Sequence, residues 1–124
     1  MDEQLREILV KKIKVKEVGS GKFAILFPVL KAETNKPYEL YLVKKANGYV
    51  LSDEGSTMAE LEKIFYINEP EVVRNLATIA QQYGCRRDGN AIVTDCADLA
   101  ELPIKIGHLI QALSFMLNMK IFYV

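Results

Sequence analysis

Tyr49-Val50-Leu51-Ser52-Asp53-Glu54-Gly55-Ser56-Thr57-Met58-Ala59-Glu60 changes its period half-way along. Tyr49 to Ser52 reads as a strand, whereas Met58, Leu61, Ile64 and Phe65 fall at helical spacing. Between the two, Gly55 permits a left-handed turn. Thr57 is placed to cap the helix, and Glu60, three residues on, to complete a capping box. The carboxylates of Asp53 and Glu54 lie close to the positive end of that helix. Gly48, Asp53, Gly55, Thr57 and Glu60 together predict a corner at which a sheet turns into a helical layer.

Upstream of the corner the chain reads as strands. Tyr38 to Lys45 joins the strand at Tyr49 through Ala46-Asn47-Gly48, and Asn-Gly favours the positive φ of a tight hairpin. Lys22 to Lys31 is apolar on both parities, the pattern of a strand covered on two faces. Pro28 donates no hydrogen bond and predicts a bulge or an edge-facing position there. Ile13 and Val15 alternate with Lys14 and Lys16 ahead of the turn Gly19-Ser20-Gly21, giving a first strand solvated on its lysine side. Leu5, Ile8, Leu9 and Ile13 are spaced as a short N-terminal amphipathic helix, with Asp2 as its cap.

Downstream, Pro70 opens a helix whose expected stripe is Val73, Leu76, Ala77, Ala80 and Tyr83, and Gly84 ends it. Asp88-Gly89 marks a turn, and Ala91 to Thr94 a short strand that rejoins the sheet. A long helix from Pro103 carries Lys105, His108, Gln111, Ser114 and Asn118 on a narrow polar stripe, leaving a wide apolar face. The expected fold is therefore α+β: an antiparallel sheet of about four to five strands packed against three helices, with a short N-terminal helix, in one domain spanning 1–124.

Composition limits what such a domain can do. Half of the 124 residues are hydrophobic, and 16 Lys/Arg cancel 16 Asp/Glu, so no global field draws the chain to nucleic acid or an anionic membrane. The cancellation hides a gradient: residues 1–50 are net +4, residues 51–104 net −6 and residues 105–124 net +2. Two cysteines, Cys85 and Cys96, with the single His108 fall short of a four-ligand zinc site. They read as reduced, buried thiols. The first residues lack a signal peptide's basic start and apolar run, and polar residues interrupt the C-terminal helix at every turn. The cytoplasm is the expected compartment, without a membrane span and without a cofactor signature.

Three features bear on chemistry. Asp53 and Glu54, with Glu39, are oxygen donors that could hold a divalent cation for a phosphoesterase or nuclease. A restriction-type nuclease, however, needs an acidic-x-Lys triplet following its first acid, and Glu39 and Lys44 precede Asp53. His108 has no serine, cysteine or acid at a telling spacing. Lys11, Lys12, Lys14, Lys16 and Lys22, helped by Arg86 and Arg87 if the fold brings them near, could meet phosphates, but aromatic residues are not interleaved.

The order Gly48-Tyr49-Val50-Leu51-Ser52-Asp53-Glu54-Gly55-Ser56-Thr57, then Tyr83-Gly84, Asp88-Gly89 and Leu109-Ile110-Gln111-Ala112-Leu113, resembles the domain of unknown function DUF1828 over about residues 22–119. The resemblance implies a bacterial, phage or prophage setting, where small proteins act by binding other macromolecules, and it carries no reaction or catalytic residue. The leading expectation is a non-enzymatic protein-binding module, paired as a homodimer or with another protein. Its interface is expected on the C-terminal helix, through Leu109, Leu113, Met116 and Leu117. The alternatives are a metal-dependent hydrolase at Asp53 and Glu54 and a weak nucleic-acid binder over Lys11–Lys22.

Overall fold

The computed structural model describes residues 14–30, 37–64 and 66–119. The helix expected over Leu5 to Ile13 lies outside them. Strands β1 (Lys14–Gly19), β2 (Lys22–Leu30), β3 (Pro37–Lys45) and β4 (Gly48–Ser52) form a meander. Helices α1 (Ser56–Glu62) and α2 (Pro70–Gln82) follow, then the hairpin β5 (Arg86–Asp88) and β6 (Ala91–Cys96). A 3-10 turn (Leu99–Glu101) leads into α3 (Leu102–Leu117).

All pairs are antiparallel, in the order β1-β2-β3-β4-β6-β5. The class is α+β as expected, with six strands among the described residues rather than about four to five. The added strand is β5, Arg86-Arg87-Asp88, which has no apolar residue to announce it. Pairing in β2–β3 slips between Leu26 and Leu30, the segment that holds Pro28. This is the bulge that a missing donor requires.

One parity of the sheet faces the helices. Ile25, Leu40, Leu42, Leu51 and Ile92 join Met58 and Leu61 of α1, Leu76 of α2 and Leu109, Leu113 and Met116 of α3 in one buried cluster. The other parity carries Lys16, Lys22, Ala24, Tyr41, Val43, Val50, Ser52 and Val93, as the register requires. No described helix covers that side, yet Ala24 at 8% and Val93 at 2% exposure are buried on it.

Helix α2 buries Val72, Leu76 and Ala80, while Val73 is 38% exposed and Ala77 lies outside the core. Leu76, Ala80 and Tyr83 of the expected stripe pack in or against the core, and Val72 takes the place expected for Val73, about 100° away around the helix.

Candidate functional site

The corner is organised by Asp53, which is 1% exposed. Its Oδ1 accepts the N–H groups of Gly55 at 2.9 Å and Ile92 at 2.8 Å, and its Oδ2 that of Thr57 at 3.2 Å. Its own N–H donates to the Ile92 carbonyl at 3.1 Å. One carboxylate therefore ties the end of β4 to β6 and satisfies the first N–H groups of α1. Glu54 takes φ 57° and Gly55 φ 86°, consecutive left-handed residues that make the bend. The Glu54 N–H donates to Ser52 Oγ at 3.0 Å, holding that conformation.

The expected capping box does not form. Gly55 is the N-cap, without a side-chain cap bond of its own, and Thr57 lies inside the helix with its hydroxyl buried and unpartnered. Glu60 pairs instead with Lys63 at 3.4 Å. The reason is geometric: Asp53 already occupies the N–H that a capping side chain would take. Gly48 has its own role, because at φ 117° an added Cβ would lie 2.8 Å from the Cys96 carbonyl oxygen.

Glu54 projects over the face of the sheet opposite the described helices, where it meets Lys22. Its Oε1 lies 2.6 Å from Lys22 Nζ, whose ammonium sits 5.1 Å from the centre of the Tyr41 ring. Beside this pair is a cleft of about 510 Å³ lined by Glu39, Tyr41, Asp53, Glu54 and Glu60. Burial, followed by the hydrogen bond and charge of Glu39 and the charge of Glu54, raises the Tyr41 phenol above its ordinary value. The fold thus brings Glu39, Asp53 and Glu54 to one cleft. Among the described residues no His, Cys, Asp and Glu group is arranged to hold a metal ion, and Asp53 is engaged by three backbone donors.

The lysine cluster does not extend into a track. Lys14, Lys16 and Lys22 share one sheet face, but Lys22 is held by Glu54. Arg86 lies on the same face at the far edge, about 24 Å away by strand spacing, and is bonded to Asp95 at 3.1 Å. Arg87 donates to the Gly89 carbonyl at 2.8 Å. Lys11 and Lys12 lie outside the described residues.

Both thiols are free and buried. Burial raises the Cys85 thiol, partly offset by its hydrogen bond with Thr94. Burial, then the charges of Glu101 and Asp98, raises Cys96. Neither is the lowered, accessible thiol of a nucleophile.

The C-terminal helix divides differently from the expected interface. Leu109, Leu113, Met116 and Leu117 are at most 4% exposed and belong to the core. They pack on the sheet and cannot also meet a partner. The outward arc is Ile104, Gly107, Gln111 and Phe115, with His108 half-buried at its margin. Ile104 is 63% exposed and Phe115 55%, the latter stacked on Tyr83 with ring centres 5.6 Å apart. The polar residues His108 and Gln111 could have located this arc, since they mark the outward direction and Ile104 and Phe115 flank them at helical spacing.

Among the described residues, a six-stranded antiparallel sheet, backed by three helices on one face and turned at an Asp-centred corner, defines a two-layer α+β protein. The chain belongs to the family of the domain of unknown function DUF1828, whose family model matches residues 28–116, including the corner and nearly all of α3. No curated protein and no solved structure matches it.

Proposed function

We propose that the chain is a small non-enzymatic protein-binding module, working in a bacterial or phage cytoplasm, and that its contact surface is the outer arc of α3. One observation carries this reading. The exposed positions Ile104, Gly107, Gln111 and Phe115 hold no charge, whereas the outer faces of α1 and α2 carry Glu62 and Glu71 with Arg74. A helix that meets only water ordinarily shows charge on its outer face. An arc with an isoleucine and a phenylalanine each more than half exposed suits a surface that is covered in use.

The corner favours scaffold over catalysis, because Asp53 spends both oxygens on backbone donors. The lysines favour a solvated edge, since the cations on that face are dispersed across the sheet or paired.

Photo-crosslinking amino acids placed at positions 104, 115 and, as a charged-face control, 74 test the reading in cells. Positions 104 and 115 are expected to yield discrete protein adducts that position 74 does not. Equal, diffuse labelling from all three would overturn it, as would nucleic-acid adducts alone.

A further inference from the structure

We infer that the outer edge of β1 takes an extended acidic peptide of another protein as an added strand of the sheet. β1 is one of the two edges of the described sheet, and all six of its residues are exposed. Its outward N–H and C=O groups pair with no described strand, so they are open to a strand laid alongside. The opposite edge is blunted. β5 has three residues, and its arginines fold back on their own chain, Arg86 onto Asp95 at 3.1 Å and Arg87 onto the Gly89 carbonyl at 2.8 Å. On β1 the register shifts between Glu17 and Gly19, which places Val18 in a bulge. Lys14 to Glu17 is the straight stretch that remains.

Side chains select the occupant. Lys14 and Lys16 lie on the face opposite the helices, and neither is ion-paired among the described residues. Val15 lies on the helix side, beside the buried Ile25, and is 63% exposed; Glu17 shares that side. A second copy does not fit this edge. Residues directly opposite in antiparallel strands point to the same face, and like charges there are destabilising. A two-fold pairing centred on residue 14, 15 or 16 sets lysine against lysine, and one centred on residue 17 sets glutamate against glutamate. The same positions specify what does fit, read from its N-terminus in antiparallel sense: a basic residue against Glu17, a carboxylate against Lys16, an apolar side chain against Val15 and a carboxylate against Lys14. Main-chain hydrogen bonds hold such a strand, and its alternate side chains choose it. In the free chain the lysines keep the edge in water and guard it against self-pairing. An acidic strand turns that guard into a contact.

Fluorescence anisotropy of labelled, end-capped peptides with the full chain at low salt tests this. A peptide with Lys-Glu-Val-Glu at its centre is expected to bind about ten-fold more tightly than one with Lys-Lys-Val-Lys. Lys14→Glu/Lys16→Glu, at two exposed positions, should reverse that order without moving the unfolding midpoint. N-methylated peptides separate an added strand from plain ionic attraction. Along a paired strand the amides point alternately to the two edges, so methylating one alternate set should abolish binding and methylating the other should leave it nearly unchanged. Ile104→Glu should not affect the peptide. Equal effects of the two methylated sets, an order that Lys14→Glu/Lys16→Glu fails to reverse, or no saturable binding of the Lys-Glu-Val-Glu peptide up to millimolar would overturn the inference. Loss of binding in Ile104→Glu would do so too, because it would place the peptide on α3. The contact surface proposed on α3 is read by cross-linking from positions 104 and 115, so either proposal can fail without the other.

Discussion

Asp53→Ala separates a structural corner from a catalytic one. The substitution deletes the acceptor for three N–H groups, of Gly55, Thr57 and Ile92, at 2.9, 3.2 and 2.8 Å. Hydrogen bonds to a charged group contribute about 1.5–3 kcal/mol each, and a buried donor left without an acceptor costs a similar amount. The Thr57 and Ile92 bonds are buried and the Gly55 bond partly so, which lets water recover part of the loss. The expected cost is about 4 kcal/mol, a large share of the 5–15 kcal/mol that holds a domain together. At this size that lowers Tm by roughly 12–20 °C. Asp53→Asn keeps one oxygen but turns an amide N–H₂ toward a donor, for an expected cost of about 2 kcal/mol. Urea unfolding followed by circular dichroism measures both. A residue kept for chemistry alone would be neutral or stabilising when removed. An Asp53→Ala cost under about 1 kcal/mol would therefore refute the account of the corner.

Other outcomes follow from single positions. Thr57→Val removes a buried, unpartnered hydroxyl at nearly constant volume, so stability should hold or rise by up to about 1 kcal/mol in the same unfolding assay. Gly48→Ala places a Cβ 2.8 Å from a backbone oxygen at φ 117°, whereas Gly84→Ala at φ 69° meets none of the described residues within 4 Å. Thermal melts should show a loss of about 3 kcal/mol for the first and about 1 kcal/mol for the second. The thiols give a pH dependence. Cys85 and Cys96 are raised above 9.0 by burial, so between the unfolded and folded values the folded chain retains more protons. Their contribution is whole below about pH 9 and is lost as pH rises through the folded values. Unfolding free energy should decline above pH 9, and Cys85→Ala should flatten the decline.

Much of the fold was legible because periods are strong where one face is buried. The β3–β4 hairpin, the turn into α1, and α3 from its Pro103 start each show in spacing. What escaped depends on contacts remote in sequence or on phase. β5 is three charged residues held in the sheet by backbone pairing with β6, and no hydrophobic pattern reports it. The Asp53 bond to the Ile92 N–H spans 39 positions, and the left-handed pair Glu54-Gly55 lets Asp53 rather than Thr57 reach the helix start. On α2 the period and most of the buried stripe are legible, with Val72 in place of Val73; on α3 the period is legible and the division between core and exposed arc is not. That ambiguity placed the interface on Leu109, Leu113, Met116 and Leu117, which form the core, while the exposed Ile104 and Phe115 lay beside the polar stripe.

The most direct measurement is photo-crosslinking in cells from position 115, in the wild-type background and with Ile104→Glu. The wild-type background should give discrete protein adducts. Ile104→Glu, which sets a carboxylate on the exposed arc, should lose them with an unchanged unfolding midpoint, since Ile104 is 63% exposed and outside the core. Adducts that survive Ile104→Glu, or equal diffuse labelling from positions 104, 115 and 74, would contradict the account.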